Sequence, residues 1–247
     1  MEIVIWFAHQ VISNIMRFFS YLIPASNFES RITVSFYLQS ASNILCIFLF
    51  RRYLCHFSDK KEISIKKLRI CLWGVLAGIG VCLAHRLIFL FFPQIGLNLM
   101  SQVSEEYILD MNRYQYSPMI FMYIILLAPI TEEIFNRGII FPVAQKRHGN
   151  VYAVMISAFL FALGHYNLPQ FITALCLGLL IGYFVVSTGN VYIGIVLHMA
   201  NNMYAGFRGM LLGDKIWELS NRTLYIESVV GVFILVFSIF AVKHETK

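Results

Sequence analysis

Apolar residues fall along this chain in long blocks separated by short polar stretches, covering 32–50, 70–92, 118–141, 151–165, 170–187, 190–207 and 224–242. Most are long enough to cross, as helices, a hydrocarbon core of about 30 Å, which takes about 20 residues. The block 151–165 is short and joined to its neighbours by very short turns, which suits a helix packed inside a bundle. A further block, 3–23, is apolar but carries His9, Gln10, Asn14 and Arg17, the last three at helical spacing, so one face is polar. It either spans with that face toward the bundle or lies in the interface. The pattern predicts an all-α polytopic transmembrane helical bundle with one membrane domain over 1–247 and eight helices, or seven if 3–23 is interfacial.

Composition agrees: 59% of the residues are hydrophobic and 13% charged, against about 25% charged in soluble domains. The net charge of +6 is no nucleic-acid signal once its distribution is considered. Arg51, Arg52, Lys60, Lys61, Lys66, Lys67 and Arg69 crowd one loop between apolar blocks, against Asp59 and Glu62. A basic loop stays on the cytoplasmic side and is attracted to anionic lipid head groups. The stretch 94–117, with Glu105, Glu106 and Asp110, then falls outside; Lys146, Arg147, Lys243 and Lys247 fall inside. This orientation implies a multi-pass cell-membrane protein with both termini cytoplasmic. Cys46, Cys55, Cys71, Cys82 and Cys176 show no C-x-x-C spacing and read as small buried hydrophobes. The N-terminus has neither the basic start nor the small-residue cleavage site of a signal peptide.

Ionisable groups are costly in membrane helices, at least about 2.5 kcal/mol for a charge at the helix centre. The region 118–207 nevertheless carries several. Glu133 and Arg137 are four apart, in the favourable order for an ion pair on one helix face. Glu132 points about 100° away and has no partner within its own helix. An unpaired carboxylate in low dielectric is a stronger base, as general-base chemistry needs. Phe161-Ala162-Leu163-Gly164-His165 ends the next block, and on its own such a histidine is more often structural. His198 and Asn202 project two polar groups from one face, either as hydrogen-bond donors for chemistry or as an interhelical pair. Depth joins them. Glu132 lies ~21 Å from the outer end of its helix, His165 ~21 Å from an inner end, and His198 and Asn202 ~12 and ~18 Å up from residue 190. Three helices thus bring a carboxylate, two imidazoles and an amide to similar depth. Asn201 adjoins Asn202 but points elsewhere on its helix, which leaves it outside the site.

The order E-E-x-x-x-R, F-x-x-x-H and H-x-x-x-N, carried by Glu132, Glu133 and Arg137, then Phe161 and His165, then His198 and Asn202, resembles the CPBP or Abi family. That family includes type II CAAX prenyl proteases and bacteriocin-processing proteins. The resemblance covers about 118–207, read as the catalytic core. It implies a metal-independent intramembrane glutamate protease acting on a peptide or membrane-anchored precursor. In that scheme Glu132 with His165 activates water, His198 and Asn202 stabilise the oxyanion, and Glu133 and Arg137 hold the geometry.

Other readings make different demands. Zinc held by a glutamate and two histidines would leave a position for water, but there is no H-E-x-x-H and the resemblance implies no cofactor. A non-catalytic immunity or signalling-regulator protein of the same family would keep the motifs without turnover. A transporter with a midplane site would be expected to show inverted repeats, and none stands out.

Overall fold

The computed structural model describes residues 1–24, 28–54, 65–84, 87, 117–165, 168–212 and 221–246. Among these residues every regular element is helical. In chain order they are α1 (Glu2–Phe18) with a 3-10 turn at Phe19–Leu22, α2 (Phe28–Leu49) with a 3-10 turn at Arg51–Tyr53, and α3 (Ile65–Ala84). Then come α4 (Pro118–Met122), a π turn at Tyr123–Leu127, α5 (Ala128–Phe135), a second π turn at Asn136–Ile140, and α6 (Phe141–Leu163). The chain closes with α7 (Leu168–Thr188), α8 (Val191–Leu212) and α9 (Asn221–Glu245). The expected all-α bundle is present. Most of the basic loop, the acidic stretch 94–116, and His85 and Arg86 lie outside the described residues.

Several helices run past their apolar blocks. Helix α3 already includes Lys66, Lys67 and Arg69, α8 reaches Leu212, and α9 begins at Asn221. The long aliphatic stems of such basic residues let a helix continue while the charge stays in water. Helix α1 stops short of 23, where the chain tightens into its 3-10 turn.

Among the described residues five helices are long and apolar enough to cross a membrane: Ser30–Leu49, Lys66–Ala84, Pro118–Leu163, Gln170–Thr188 and Arg222–Glu245. The third, at 46 residues, would be ~69 Å long if straight, over twice the hydrocarbon core. Gly149 breaks it: with φ 81° and ψ 177° it leaves helical geometry, in a region open to glycine and strained for other residues. The two apolar blocks expected on either side of 141–151 are therefore two rods joined at Gly149. Helices α1 and α8 are not among the five. They bring polar side chains into the bundle: His9 and Ser13 from α1, and His198 and Arg208 from α8, are all buried.

One core packs α6, α7 and α8 against α3 and α9 through Ala77, Phe141, Leu177, Phe184, Leu197 and Val242. A second, made by Ile5, Cys46, Phe135, Ile139 and Leu160, fastens α1 and α2 to the segment that runs through α5 into α6. The Trp6 indole also donates to the Leu160 carbonyl at 2.8 Å, pinning α1 to α6. Phe233, Phe237 and Phe240 of α9 are exposed, as expected for a surface facing lipid tails. Cys46 and Cys82 are buried as expected; Cys176 is exposed, a correction to its reading as a buried hydrophobe. It sits on the α7 face turned away from the core, where an exposed apolar side chain meets no penalty in lipid.

Helix α3 approaches α8 closely because Gly78 has no side chain. A Cβ there would fall 2.3 Å from the Leu197 carbonyl oxygen and 3.0 Å from the Asn201 nitrogen, both main-chain atoms. The obstruction is backbone, so relief requires the helices to separate, and overpacking of this kind costs about 1–3 kcal/mol. Gly78→Ala is therefore expected to lower the thermal unfolding midpoint of the detergent-solubilised protein. At Gly189 a Cβ would meet nothing within 4 Å, but φ is +64°, so Gly189→Ala should act only through local backbone strain.

Candidate active site

The helix that carries Glu132 and Glu133 is shaped by two prolines. Each π turn is followed by one residue and then a proline: Tyr123–Leu127 by Ala128-Pro129, and Asn136–Ile140 by Phe141-Pro142. The Ala128 N–H bonds back to Tyr123, and the Phe141 N–H to Asn136, each spanning five residues. A proline has no N–H to give, so in this register the carbonyl five residues before Pro129, that of Ile124, has no main-chain donor. Asn202 supplies one: its side-chain N–H donates to the Ile124 oxygen at 2.9 Å. Such π-bulges re-aim the side chains around them, and here two of them bracket the short helix α5.

Glu133 is fully buried and held from two sides. The Arg137 guanidinium donates to its Oε1 at 3.1 Å and contacts Oε2 at 2.9 Å. On the other side the ring Nδ1 of His198 lies 2.9 Å from Oε1. A carboxylate only accepts, so Nδ1 of His198 carries a proton and donates, which turns Nε2 away from Glu133. Arg137, equally buried, also donates to the Gly178 carbonyl at 3.0 Å and lies 5.0 Å over the Phe161 ring. Two glycines make room for the pair. A Cβ on Gly178 would sit 3.0 Å from Arg137 NH2, and one on Gly194 would sit 3.5 Å from Glu133 Oε2 and 2.8 Å from an Ile181 methyl.

Glu132 differs from its neighbour. Among the described residues its carboxylate makes no hydrogen bond, and it is only half-buried. Its electrostatic neighbours are His198, Glu133 and Arg137. Its main-chain carbonyl accepts from Asn136 at 2.9 Å, which stiffens the turn that follows.

Phe161 links the two histidines, its ring edge-on to His165 at 5.1 Å and to His198 at 5.6 Å. His165 lies just beyond the end of α6, a residue past Gly164, and is half-buried. Its Nδ1 lies 3.2 Å from the Phe161 carbonyl; since a carbonyl only accepts, Nδ1 holds the proton and the neutral ring presents an Nε2 lone pair. Glu132 and His165, both described, are not joined by a hydrogen bond.

Glu133, Arg137, Phe161, His165 and His198 thus lie in one connected cluster, with Glu132 beside it. His198 and Asn202 share a face but have separate partners, Glu133 for one and Ile124 for the other. The amide of Asn201, expected to lie outside the site, donates to Asn202 Oδ1 at 3.2 Å. Among the described residues one N–H of Asn202 stays uncommitted, since its amide has two. Among the described residues no three His, Cys, Asp or Glu side chains are gathered closely enough to hold a metal ion. Spacing alone does not single out Gly178, Gly194 or the two prolines; the X-Pro pairs inside an apolar run are the one signal in the sequence for the π turns.

Residues 114–204 match the family described as Rce1-like, type II CAAX prenyl endopeptidase Rce1-like. The matched stretch contains every residue of the three motifs. No curated protein matches the chain, and neither does any solved structure.

Removing one partner of a buried ion pair leaves an uncompensated charge, at a cost of about 3–5 kcal/mol. Arg137→Met should destabilise the protein by that order in detergent unfolding. Glu133→Gln combined with Arg137→Met should cost clearly less than the sum of the two single changes, because no lone charge is left. Additive losses would show that the two side chains are not coupled.

Proposed function

We propose that this chain is an intramembrane endopeptidase, related to the type II CAAX prenyl endopeptidases, that hydrolyses a peptide bond with water activated by Glu132 and His165. The observation that carries this reading is the inequality of the adjacent glutamates. Glu133 is locked between Arg137 and His198, whereas Glu132 beside it carries no hydrogen bond among the described residues and sits half-open next to His198. A base must be free to take a proton, and a brace must not be.

In the proposed reaction Glu132, aided by the Nε2 lone pair of His165, takes a proton from water as the water oxygen adds to the scissile carbonyl carbon. The negative charge moves onto the carbonyl oxygen. His198 and the uncommitted N–H of Asn202 donate to that oxyanion. With Nδ1–H of His198 directed at Glu133, Nε2 can donate only from the imidazolium. Arg137 and imidazolium His198 then balance Glu132 and Glu133, so the four charges cancel within the bundle. The tetrahedral species collapses as the C–N bond breaks, and the proton held by Glu132 passes to the leaving nitrogen. The substrate is a peptide or membrane-anchored precursor, and no metal enters the scheme. The protein lies in the cell membrane as a multi-pass bundle with both termini cytoplasmic.

Glu132→Gln keeps the size and removes the base. Peptides released from cells carrying the wild type are expected to be missing from cells carrying Glu132→Gln at equal protein levels, and a chelator should leave release unchanged. Full release by Glu132→Gln would make the chain a binding regulator and not an enzyme. Release that is lost on chelation and restored by zinc would overturn the metal-free step.

A further inference from the structure

The N-terminal helices lie outside the family match, yet they contribute a buried polar chain that ends beside Glu132. From α1, Nε2 of His9 lies 2.6 Å from Oδ1 of Asn43 in α2. The Asn43 amide donates to the hydroxyl of Thr131 in α5 at 3.1 Å. Thr131 donates to the Leu127 carbonyl at 2.9 Å, where the first π turn ends. Ser40 also lies 3.4 Å from the Thr131 hydroxyl. His9, Ser40, Asn43 and Thr131 are all less than a tenth exposed.

The direction of this chain is fixed from its end. A carbonyl only accepts, so Thr131 must give its proton to Leu127 and accept from Asn43. The Asn43 amide is thereby oriented with its oxygen toward His9, and His9 must donate through Nε2. The Gln10 amide nitrogen, 3.3 Å from Nδ1 of His9, completes the assignment by donating to the remaining ring nitrogen. The His9 ring also lies 4.4 Å from that of Phe135, one helical turn beyond Thr131. Helix α1 thus grips α5 twice on the same face, by a proton-ordered chain and by a ring contact, at the two positions that flank Glu132 and Glu133. Interhelical hydrogen bonds in membrane bundles add only modestly to stability, and an apolar contact would fill this space as well. What such a chain adds is a single rotational setting for the turn it holds.

We propose that His9, Asn43 and Thr131 form a positioning relay through which the N-terminal helices set the rotation of α5 and thereby aim Glu132. The relay rests on the reading of Glu132 as the base. These residues touch no reacting atom, and they act through the helix.

The test uses the full-length protein in detergent micelles for hydrogen exchange, and the same variants in cells for peptide release. His9→Phe keeps an aromatic ring against Phe135 and removes the donor. Asn43→Asp keeps the shape and removes the N–H that reaches Thr131. His9→Gln restores a donor. His9→Phe and Asn43→Asp are expected to speed exchange in 128–135 while leaving the distant α9 as in the wild type. They should also lower peptide release about tenfold or more, as expected for a misplaced base. His9→Gln should recover both readouts. Unchanged exchange in 128–135, equal acceleration in every helix, or no recovery in His9→Gln would overturn the relay. If Glu132→Gln itself releases peptides like the wild type, the proteolytic reading falls, while the exchange pattern still decides whether the N-terminal helices hold α5.

Discussion

The buried contact of Glu133 with both Arg137 and His198 is the constraint around which the rest is arranged. A carboxylate and a guanidinium with no exposed surface are tolerable in a membrane bundle only if their charges cancel and most of their hydrogen bonds are met; among the described residues only Glu133 Oε2 and Arg137 Nε of this pair lack one. Each neighbouring feature serves that requirement. Gly178 and Gly194 leave the space, the Gly178 carbonyl takes a guanidinium N–H, and the face of Phe161 lies against the cation. The same contact tethers α8 to α5 through His198 and fixes which ring nitrogen is turned toward the site. Because Glu133 is consumed in this way, Glu132 next to it is left available.

The prolines add a second constraint. A straight helix from 118 through 141 would place every carboxylate on a regular 3.6-residue pattern. Pro129 and Pro142 impose π turns, and the register between them is held by contacts from other helices. Asn202 meets the carbonyl that Pro129 leaves without a donor, so one amide both seals the helix and stands at the site. Thr131 is tied from the opposite side by α2, and through it by α1. Helix α5 is thus gripped by elements from both ends of the chain, although the matched family segment covers only 114–204.

Much of this is legible from local spacing. The apolar blocks locate the helices, and the four-residue separation of Glu133 and Arg137 gives their ion pair, because neighbours on a helix surface follow from helix geometry alone. The break at Gly149 lies between two blocks that already read as separate. What spacing cannot supply is the partner across helices. His198 and Asn202 read as a matched donor pair because they share a face; folded, one reaches Glu133 and the other Ile124, since a helix face several ångströms wide meets more than one neighbour. The polar stripe of Gln10, Asn14 and Arg17 is visible on α1, but Asn14 is exposed, and the buried link to Asn43, far away in sequence, comes from His9 beside the stripe. The carbonyl left free by Pro129 follows from the missing N–H, but the residue that answers it, Asn202, does not.

In the proposed reaction the adjacent glutamates divide the labour, one held as a brace and one free to exchange a proton. Infrared titration of the purified protein in lipid nanodiscs reads this directly, because a carboxyl that gains and loses a proton shows a C=O stretch that comes and goes with pH. Among the 13 Asp and Glu of the chain, the band assigned by difference spectra to the site is expected to vanish in Glu132→Gln and to persist in Glu133→Gln. A band that survives in Glu132→Gln and is lost in Glu133→Gln would contradict it, and would make Glu133 the titrating group.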